Sequence, residues 1–255
     1  MAGIVSERIL SDVQESFSFH GCTKSKWDGI DFEQKRTLTP ITTGTSVLGM
    51  VFDGGVIIAG DMLGSYGSLA RFRNCQRVIK VNDNIIFGAS GDYADFQFVR
   101  SLIEDKVIEE ESYHDGFSLK PKSLHCWLTR ILYNRRSKFD PLWNTFIVGG
   151  IQDGEPFLGQ VDKIGTCFET PTVATGLGAY IAQPILRGLY EQKGKVSLQE
   201  AKEAIERCMT ILFYRDARSF HKYHLGIVTK DSATVEGPFE LKTNWDIGLL
   251  IKGYN

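Results

Sequence analysis

The chain contains 255 residues, of which 42% are hydrophobic and 24% charged, and its formal net charge at pH 7 is −2. A chain of this length buries a core that needs no disulfide, and its five scattered cysteines, without a CxxC pair, predict reduced thiols. The low net charge gives no reason to expect binding to nucleic acid or a membrane, and no apolar run approaches the roughly 20 residues that span a bilayer.

Residues 1–36 form a polar segment that ends in the basic pair Lys35-Arg36. Glu7 and Asp12 lie where a secretory signal would be cationic and then apolar, so a signal peptide is not predicted. We expect this segment to be a leader that is removed from the mature chain.

The first part of the core is predicted to consist of short strands. An Asp-Gly-Gly sequence and an Asn-Asp-Asn sequence each separate two apolar runs, which is typical of hairpins. These runs predict strands over residues 45–52, 56–61, 77–81 and 85–90.

The hydrophobic period then changes to that of a helix. Asp92 is a candidate helix cap, and apolar residues follow it at three- and four-residue spacing from Phe96 to Val107. A second helix is predicted around residues 124–132, and Ser197 with Glu200 forms a capping box for a later one. Further strands are predicted over residues 144–151, 156–162, 223–230 and 233–239, and further helices over about 178–193 and 197–217.

Strands and helices therefore come in separate runs, which favours an α+β fold over an alternating doubly wound sheet. The run VIIA at residues 56–59 is apolar on both faces and needs a cover on each side. A pair of sheets with helices on the outer faces provides both covers. We predict a four-layer sandwich, with one domain over residues 37–242.

Residues 243–255 form an amphiphilic tail for which the chain offers no partner element. Its apolar side chains would expose a sizeable stripe on an isolated monomer, which indicates an arm that contacts other proteins. The predicted interaction residues are Trp245, Ile247, Leu249, Leu250, Ile251 and Tyr254.

Gly44 followed by Thr45 at the head of the first strand is a candidate N-terminal nucleophile. Cleavage between the two residues would free an α-amine of pKa about 8 to act as the base for the threonine hydroxyl. Asp61 and a lysine on neighbouring strands would tune that amine. The alternative interpretation is that Thr45, as a β-branched residue, simply begins a strand.

Four motifs carry a resemblance to the proteasome beta subunits. They read GTSVLGMVFDGGVIIAGDMLGSYGSLARF (44–72), GASGDYADFQ (88–97), ATGLGAY (174–180) and YRDARS (214–219). They occur in the family's order and approximate spacing, and the resemblance covers nearly all of residues 37–255. The chain is most similar to the beta-seven subfamily, also called beta type-4. This resemblance implies the αββα sandwich of the Ntn hydrolases and a place in the beta ring of the 20S core.

The resemblance also implies roles for individual residues. Thr45 corresponds to the catalytic threonine and Asp61 to the aspartate that pairs with the catalytic lysine. Gly91 corresponds to the glycine whose N–H forms the oxyanion hole. Asp216 and Ser219 correspond to the residues that support the nucleophile.

Two departures from the family's pattern predict that the site is silent. Arg77 stands where active subunits carry the lysine, and a guanidinium remains protonated at physiological pH. Leu177 and Ala179 stand where active subunits carry the two serines of GSGS. Because loss of one supporting group in a triad-like site costs orders of magnitude in rate, we expect a non-catalytic subunit.

The leader is expected to be cut between Arg36 and Thr37, since residues 37–40 resemble the TQxP-like processing site of the beta-seven subfamily. An active neighbour would make this cut. Gly44 would then stay attached, and the nitrogen of Thr45 would remain an amide.

The resemblance implies partners: other beta subunits in the same and the opposite ring, alpha-ring subunits and assembly chaperones. It also implies a location in the cytoplasm and nucleus. No cofactor or metal is expected, because no cysteine or acidic pattern completes a site around His221 and His224. Two alternatives are an active threonine peptidase with Thr45 as nucleophile and a free-standing Ntn-type amidase.

Overall fold

The computed structural model describes residues 38–246. The predicted leader, its processing site at Arg36 and Thr37, and most of the predicted arm lie outside the described residues. The arm residues concerned are Ile247, Leu249, Leu250, Ile251 and Tyr254.

The described residues contain thirteen strands and five helices. The strands are β1 Thr42–Gly44, β2 Val47–Phe52, β3 Gly55–Asp61, β4 Gly64–Tyr66, β5 Leu69–Phe72, β6 Val78–Asn82, β7 Ile85–Asp92, β8 Asn144–Gln152, β9 Glu155–Val161, β10 Cys167–Glu169, β11 Thr172–Ala174, β12 Lys222–Thr229 and β13 Ala233–Glu240. The helices are α1 Tyr93–Ser112, α2 Pro121–Ser137, α3 Gly178–Ile181, α4 Gln183–Lys193 and α5 Leu198–Arg215. Between residues 38 and 246, none of the helices combines the length and apolar character needed to cross a bilayer.

The strands form two antiparallel sheets. The large sheet has eight strands in the order β10-β9-β8-β7-β1-β4-β5, with β6 also paired to β7. The small sheet has five strands in the order β11-β2-β3-β12-β13. The chain passes from the large sheet to the small one between β1 and β2, and this crossing positions the candidate site.

Three apolar layers hold the sheets and helices together. Side chains such as Val47, Ile58 and Ile86 fill the space between the sheets. A second cluster packs α1 and α2 on the outer face of the large sheet, and a third packs α4 and α5 on the small sheet. The predicted α+β four-layer sandwich is therefore confirmed.

Local sequence signals explain where several elements begin. Asp92 accepts hydrogen bonds from the backbone of Ala94 and Asp95 at 2.8 and 3.1 Å, which caps α1 as predicted. Ser197 and Glu200 form the predicted capping box of α5. Gly54 has a φ of 92°, which a glycine adopts without strain in the turn between β2 and β3.

The single helix predicted over residues 178–193 is wrong in one respect, because it breaks at Ala182 into α3 and α4. Pro184 has no N–H to donate to the preceding turn and instead occupies the first turn of a new helix, where none is needed. The short strands β1, β4, β5, β10 and β11 were not predicted either. At three or four residues each, they carry too little periodicity to stand out.

The prediction that the tail has no partner element within the chain is wrong for its first residues. The backbone N–H of Asn244 donates to the hydroxyl of Tyr214 at 2.7 Å. The ring of Trp245 packs edge-on against Phe213 and Tyr214, with centroids 5.8 and 4.9 Å away. Trp245 nevertheless remains 58% exposed. Asn244 and Trp245, at the start of the tail, are thus anchored on the last turn of α5.

We predict that Ser197→Ala destabilises the chain by about 1 kcal/mol, since the backbone N–H of Glu200 loses the Ser197 hydroxyl that accepts its hydrogen bond. Urea unfolding followed by circular dichroism measures the change. Ser137→Ala, in the last turn of α2, is the matched control and should change stability little. Equal losses in the two variants would contradict the prediction.

Candidate functional site

The candidate site lies where the chain crosses from β1 to β2. Thr45 is half-buried in this crossing, Asp61 ends β3, and Arg77 directly precedes β6. The structure brings these three residues and Asp216 together through hydrogen bonds.

Arg77 is 2% exposed, and each of its five N–H groups has an acceptor. Its Nε donates to the carbonyl of Asp61 at 3.1 Å. Its Nη1 donates to the carbonyls of Thr45 and Ala89, at 2.8 and 3.0 Å. Its Nη2 donates to the carbonyl of Ser46 at 3.2 Å and forms an ion pair with Oδ1 of Asp61. The guanidinium is therefore fully satisfied by fixed acceptors.

The ion pair between Arg77 and Asp61 is buried, with side chains 2% and 1% exposed. Burial raises the pKa of Asp61 to about 6, although the charge and hydrogen bond of Arg77 act to lower it. At pH 7 the carboxyl is thus ionised and neutralises the guanidinium. Its Oδ2 has no hydrogen-bond partner among residues 38–246.

Gly44 leaves just enough room for the Arg77 side chain. A Cβ atom added to Gly44 would lie 2.3 Å from Cδ of Arg77 and 2.7 Å from its Nε. Gly44 also pairs with Gly91 in the register between β1 and β7. The position before Thr45 therefore has to be glycine for Arg77 to lie where it does.

The hydroxyl of Thr45 donates to Oδ2 of Asp216 at 2.5 Å. Asp216 caps the C-terminus of α5, and its other carboxyl oxygen accepts from the backbone N–H of Arg218 at 2.9 Å. The hydroxyl of Ser219 lies within hydrogen-bond distance of two carbonyl oxygens, that of Asp216 at 2.7 Å and that of Leu212 at 3.2 Å. Ser219 thus closes the end of α5 and makes no hydrogen bond to Thr45.

Gly91 has a φ of 96°, and a Cβ atom there would lie 2.0 Å from the carbonyl oxygen of Trp143. This position accepts only glycine. Leu177 is exposed and brings no hydroxyl to the site. The loop that carries it is held instead by Ser46, whose Oγ accepts from the backbone N–H of Gly178 at 2.8 Å.

A cleft of about 520 Å³ opens beside Thr45, with Thr43, Gly91 and Trp143 among its lining residues. On its wall, Nζ of Lys163 lies 3.9 Å from the centre of the Trp143 ring. Strand β1 lies along the cleft, paired on one side with β7 and on the other with β4. Residues 42–44, which directly precede Thr45, are therefore a paired strand of the large sheet.

Residues 38–246 contain no group of three or more His, Cys, Asp or Glu side chains arranged to hold a metal ion. Nε2 of His221 lies 3.8 Å from Oε1 of Glu240, and its ring is tilted by 53° against that of Phe220. Burial lowers the pKa of His224. Neither histidine contributes to the site around Thr45.

Sequence reasoning did not find the roles of Ser46 and Ala89. Ser46 anchors the loop that carries Leu177, and the carbonyls of both residues accept from Arg77. A carbonyl is present at every residue, so the sequence contains no signal for these acceptors. The serine hydroxyl beside the candidate nucleophile was the only available clue.

Residues 41–228 match the family described as proteasome subunit. The chain is 57% identical over 220 residues to proteasome subunit beta type-4 of Xenopus laevis, covering 86% of this chain and 91% of that protein. The chain belongs to the proteasome subunit family. It is 44% identical to proteasome subunit beta type-4 of Drosophila melanogaster, over 86% of this chain and 82% of the relative. It is 42% identical to proteasome subunit beta type-7 of Saccharomyces cerevisiae, over 86% of both chains.

The resemblance to proteasome beta subunits is thereby confirmed. The chain is a component of the beta ring of the 20S proteasome, a complex that degrades proteins, and it assembles with other proteasome subunits.

We predict that Gly44→Ala destabilises the chain by about 1–3 kcal/mol, because the added methyl group displaces Arg77 from its acceptors. Gly188→Ala in α4 is the matched control, since a Cβ atom there meets nothing within 4 Å. That variant should gain up to about 1 kcal/mol from helix propensity. Urea unfolding of both proteins measures the difference, and a neutral Gly44→Ala would refute the steric argument.

Proposed function

We propose that this chain is a non-catalytic subunit of the beta ring, which contributes surfaces to the particle and no peptidase site of its own. The observation that carries the proposal is the complete hydrogen bonding of Arg77 at the place of the catalytic lysine. A guanidinium has no acceptor, so it cannot take a proton from Thr45.

The backbone on either side of Thr45 supports the same conclusion. A threonine hydroxyl needs a base, and in an N-terminal threonine the free α-amine is that base. While Gly44 is attached, the nitrogen of Thr45 is an amide. Arg77 binds the carbonyl of Thr45 and packs against Gly44, which stabilises the uncut chain in this geometry.

Strand β1 supplies a second argument, because it pairs the residues before Thr45 on both sides within the large sheet. Thr43 pairs with Asp92 on one side and with Ser65 on the other. These pairs keep Gly44 in a strand directly before Thr45, in the geometry in which the nitrogen of Thr45 is an amide.

One observation favours the alternative of an active threonine peptidase with Thr45 as nucleophile. The hydroxyl of Thr45 lies 2.5 Å from a carboxyl oxygen of Asp216, which is able to accept its proton. The blocked nitrogen opposes this alternative, since an amide cannot act as the base that an N-terminal threonine uses.

We predict that Thr45→Ala leaves peptide turnover by purified 20S particles unchanged within experimental error. An active subunit would lose its share of turnover, so assays with several fluorogenic peptides compare the variant with wild-type particles. Mass spectrometry of the same particles should find Thr37 as the mature N-terminus, cut from Arg36 by an active neighbour. A chain that begins at Thr45, or an adduct of a threonine-directed inhibitor at residue 45, would overturn the proposal.

We further propose that residues 243–255 act as an arm that contacts subunits of the opposite ring. The proposal includes contacts with neighbouring beta subunits and the alpha ring, transient binding of assembly chaperones, and a location in the cytoplasm and nucleus. The exposed face of Trp245 at the base of the arm supports it.

Deletion of residues 243–255 is expected to reduce the joining of half-particles and to spare the fold of the subunit. The reason is that residues 243–246, the described part of the deleted segment, follow β13 and belong to neither sheet. Native gels measure the ratio of half to full particles, and circular dichroism checks the fold. A normal yield of full particles would contradict the proposed role of the arm.

A further inference from the structure

A groove of about 530 Å³ runs between helices α4 and α5 on the outside of the small sheet. Residues 194–197 join the two helices, and a connection this short makes them antiparallel neighbours. We call it the α4–α5 groove, and its lining includes Ile185, Gly188, Leu189, Glu203, Ala204 and Arg207. The aliphatic side chains among these are half-buried, and the charged ones are exposed. The groove thus combines accessible apolar surface with charges beside it.

Gly188 leaves the groove open in the middle of α4. Glycine in a helix interior lowers stability relative to alanine, so its presence there needs a reason. Its φ lies outside the left-handed region, and a Cβ atom at this position would meet nothing within 4 Å. Neither a turn nor a close approach within residues 38–246 therefore requires glycine. The space beside Gly188 is available to a segment outside those residues.

One face of α5 leads from the groove to the base of the arm. Residues at spacings of four, four and three lie on this face: Glu203, Arg207, Ile211 and Tyr214. Tyr214 holds the start of the arm, because its hydroxyl accepts from Asn244 and its ring packs against Trp245. Ile211 is half-buried, so accessible apolar surface continues between this anchor and the groove.

The length of the arm matches that path. Eleven residues along α5 separate Tyr214 from Glu203, a rise of about 17 Å at about 1.5 Å per residue. Seven residues separate Trp245 from Lys252, and an extended chain of that length spans up to about 23 Å. Residues 249–251, which read Leu-Leu-Ile, are therefore able to reach the groove from the anchor at Tyr214.

The charges of the two segments are complementary. Lys252 is the only charged side chain of residues 247–255. Glu203 is exposed and forms no ion pair within residues 38–246, although it accepts a hydrogen bond from Gln199 at 2.9 Å. Lys193, which also lines the groove, is paired with Glu200 instead. The free carboxylate of Glu203 thus lies where an ammonium that follows the apolar residues of the arm would reach it.

We infer that, before this subunit enters a particle, residues 247–252 dock in the α4–α5 groove of the same chain, with Lys252 beside Glu203. This contact covers the apolar stripe of the arm and holds it away from other chains, so it is an autoinhibitory contact. The inference rests on the proposed role of residues 243–255 as an arm, because it states where the arm lies before that role begins.

The first test measures how readily residue 250 is reached from solvent in the free full-length chain. A Leu250→Cys chain is treated with a thiol reagent, and mass spectrometry follows the peptide that contains residue 250. Adding Gly188→Gln fills the groove with a side chain and should speed labelling about tenfold. Glu191→Gln is the matched control, since it places the same side chain at an exposed position of α4 outside the groove.

The melting temperature separates displacement of the arm from unfolding. Glutamine is a better helix former than glycine, so Gly188→Gln should melt at or above the temperature of the parent chain. Faster labelling without a lower melting temperature then reports release of the arm alone. Equal labelling rates in the Gly188→Gln and Glu191→Gln chains would overturn the inference.

The charge contact is tested by reversal. Glu203→Lys should speed labelling of residue 250 about threefold, as expected for loss of an exposed ion pair. Adding Lys252→Glu to that variant should restore the slower rate, because the pair is then re-formed with opposite polarity. Failure of the second change to restore the rate would contradict the placement of Lys252 beside Glu203.

The occupant is identified by crosslinking. A photoreactive leucine analogue at position 250 should crosslink to α4 or α5 of the same chain. In a mixture of unlabelled and ¹⁵N-labelled chains, crosslinks between the two isotopic forms would show docking on a second copy and would overturn the inference, as would crosslinks elsewhere or none. Normal joining of half-particles after deletion of residues 243–255 would instead refute the proposed role of the arm, and these measurements on the free chain do not depend on it.

Discussion

A single buried guanidinium holds the centre of this subunit together. Arg77 binds Ser46 and Asp61 on the side of the small sheet and Ala89 in the large sheet, so it joins the two sheets through polar contacts. Elsewhere the space between the sheets is filled by aliphatic side chains. A buried charge is tolerated only when it is paired and hydrogen-bonded, and removal of one partner of such a pair costs about 3–5 kcal/mol. Arg77 is therefore a structural residue by its burial alone.

The same hydrogen bonds support the proposal that this subunit has no peptidase site of its own. An ammonium group has only three donors. At least two of these five acceptors would then have no partner or would bind water. The planar guanidinium of Arg77 instead donates to the carbonyls of Thr45 and Ser46 and lies against Gly44. Catalysis needs a group that can give up and take back a proton, whereas this one only donates. On the proposed function, the role of Arg77 at this position is therefore structural.

Much of the architecture followed from local sequence signals, because hairpin turns and helix caps depend on residues that are close in the chain. Asp92, Ser197 and the Asp53-Gly54 turn act where they were predicted to act. The break at Ala182 was missed although Pro184 was visible, since apolar periodicity continued across it. Strand β1 was missed because its three residues are ordered by β4 and β7, which are distant in sequence. The alignment of the family's motifs placed Arg77 at the site, but only the fold revealed the backbone carbonyls that surround it.

Asp216 and Ser219 both have structural roles at the end of α5. Asp216 caps this helix and accepts the hydroxyl of Thr45, and Ser219 closes the same turn. Phe213 and Tyr214, in the last turn of α5, hold Trp245 at the base of the tail. The contacts of Thr45 and those of Trp245 therefore share one helix end. The roles of Asp216 and Ser219 at this helix end require no proton transfer.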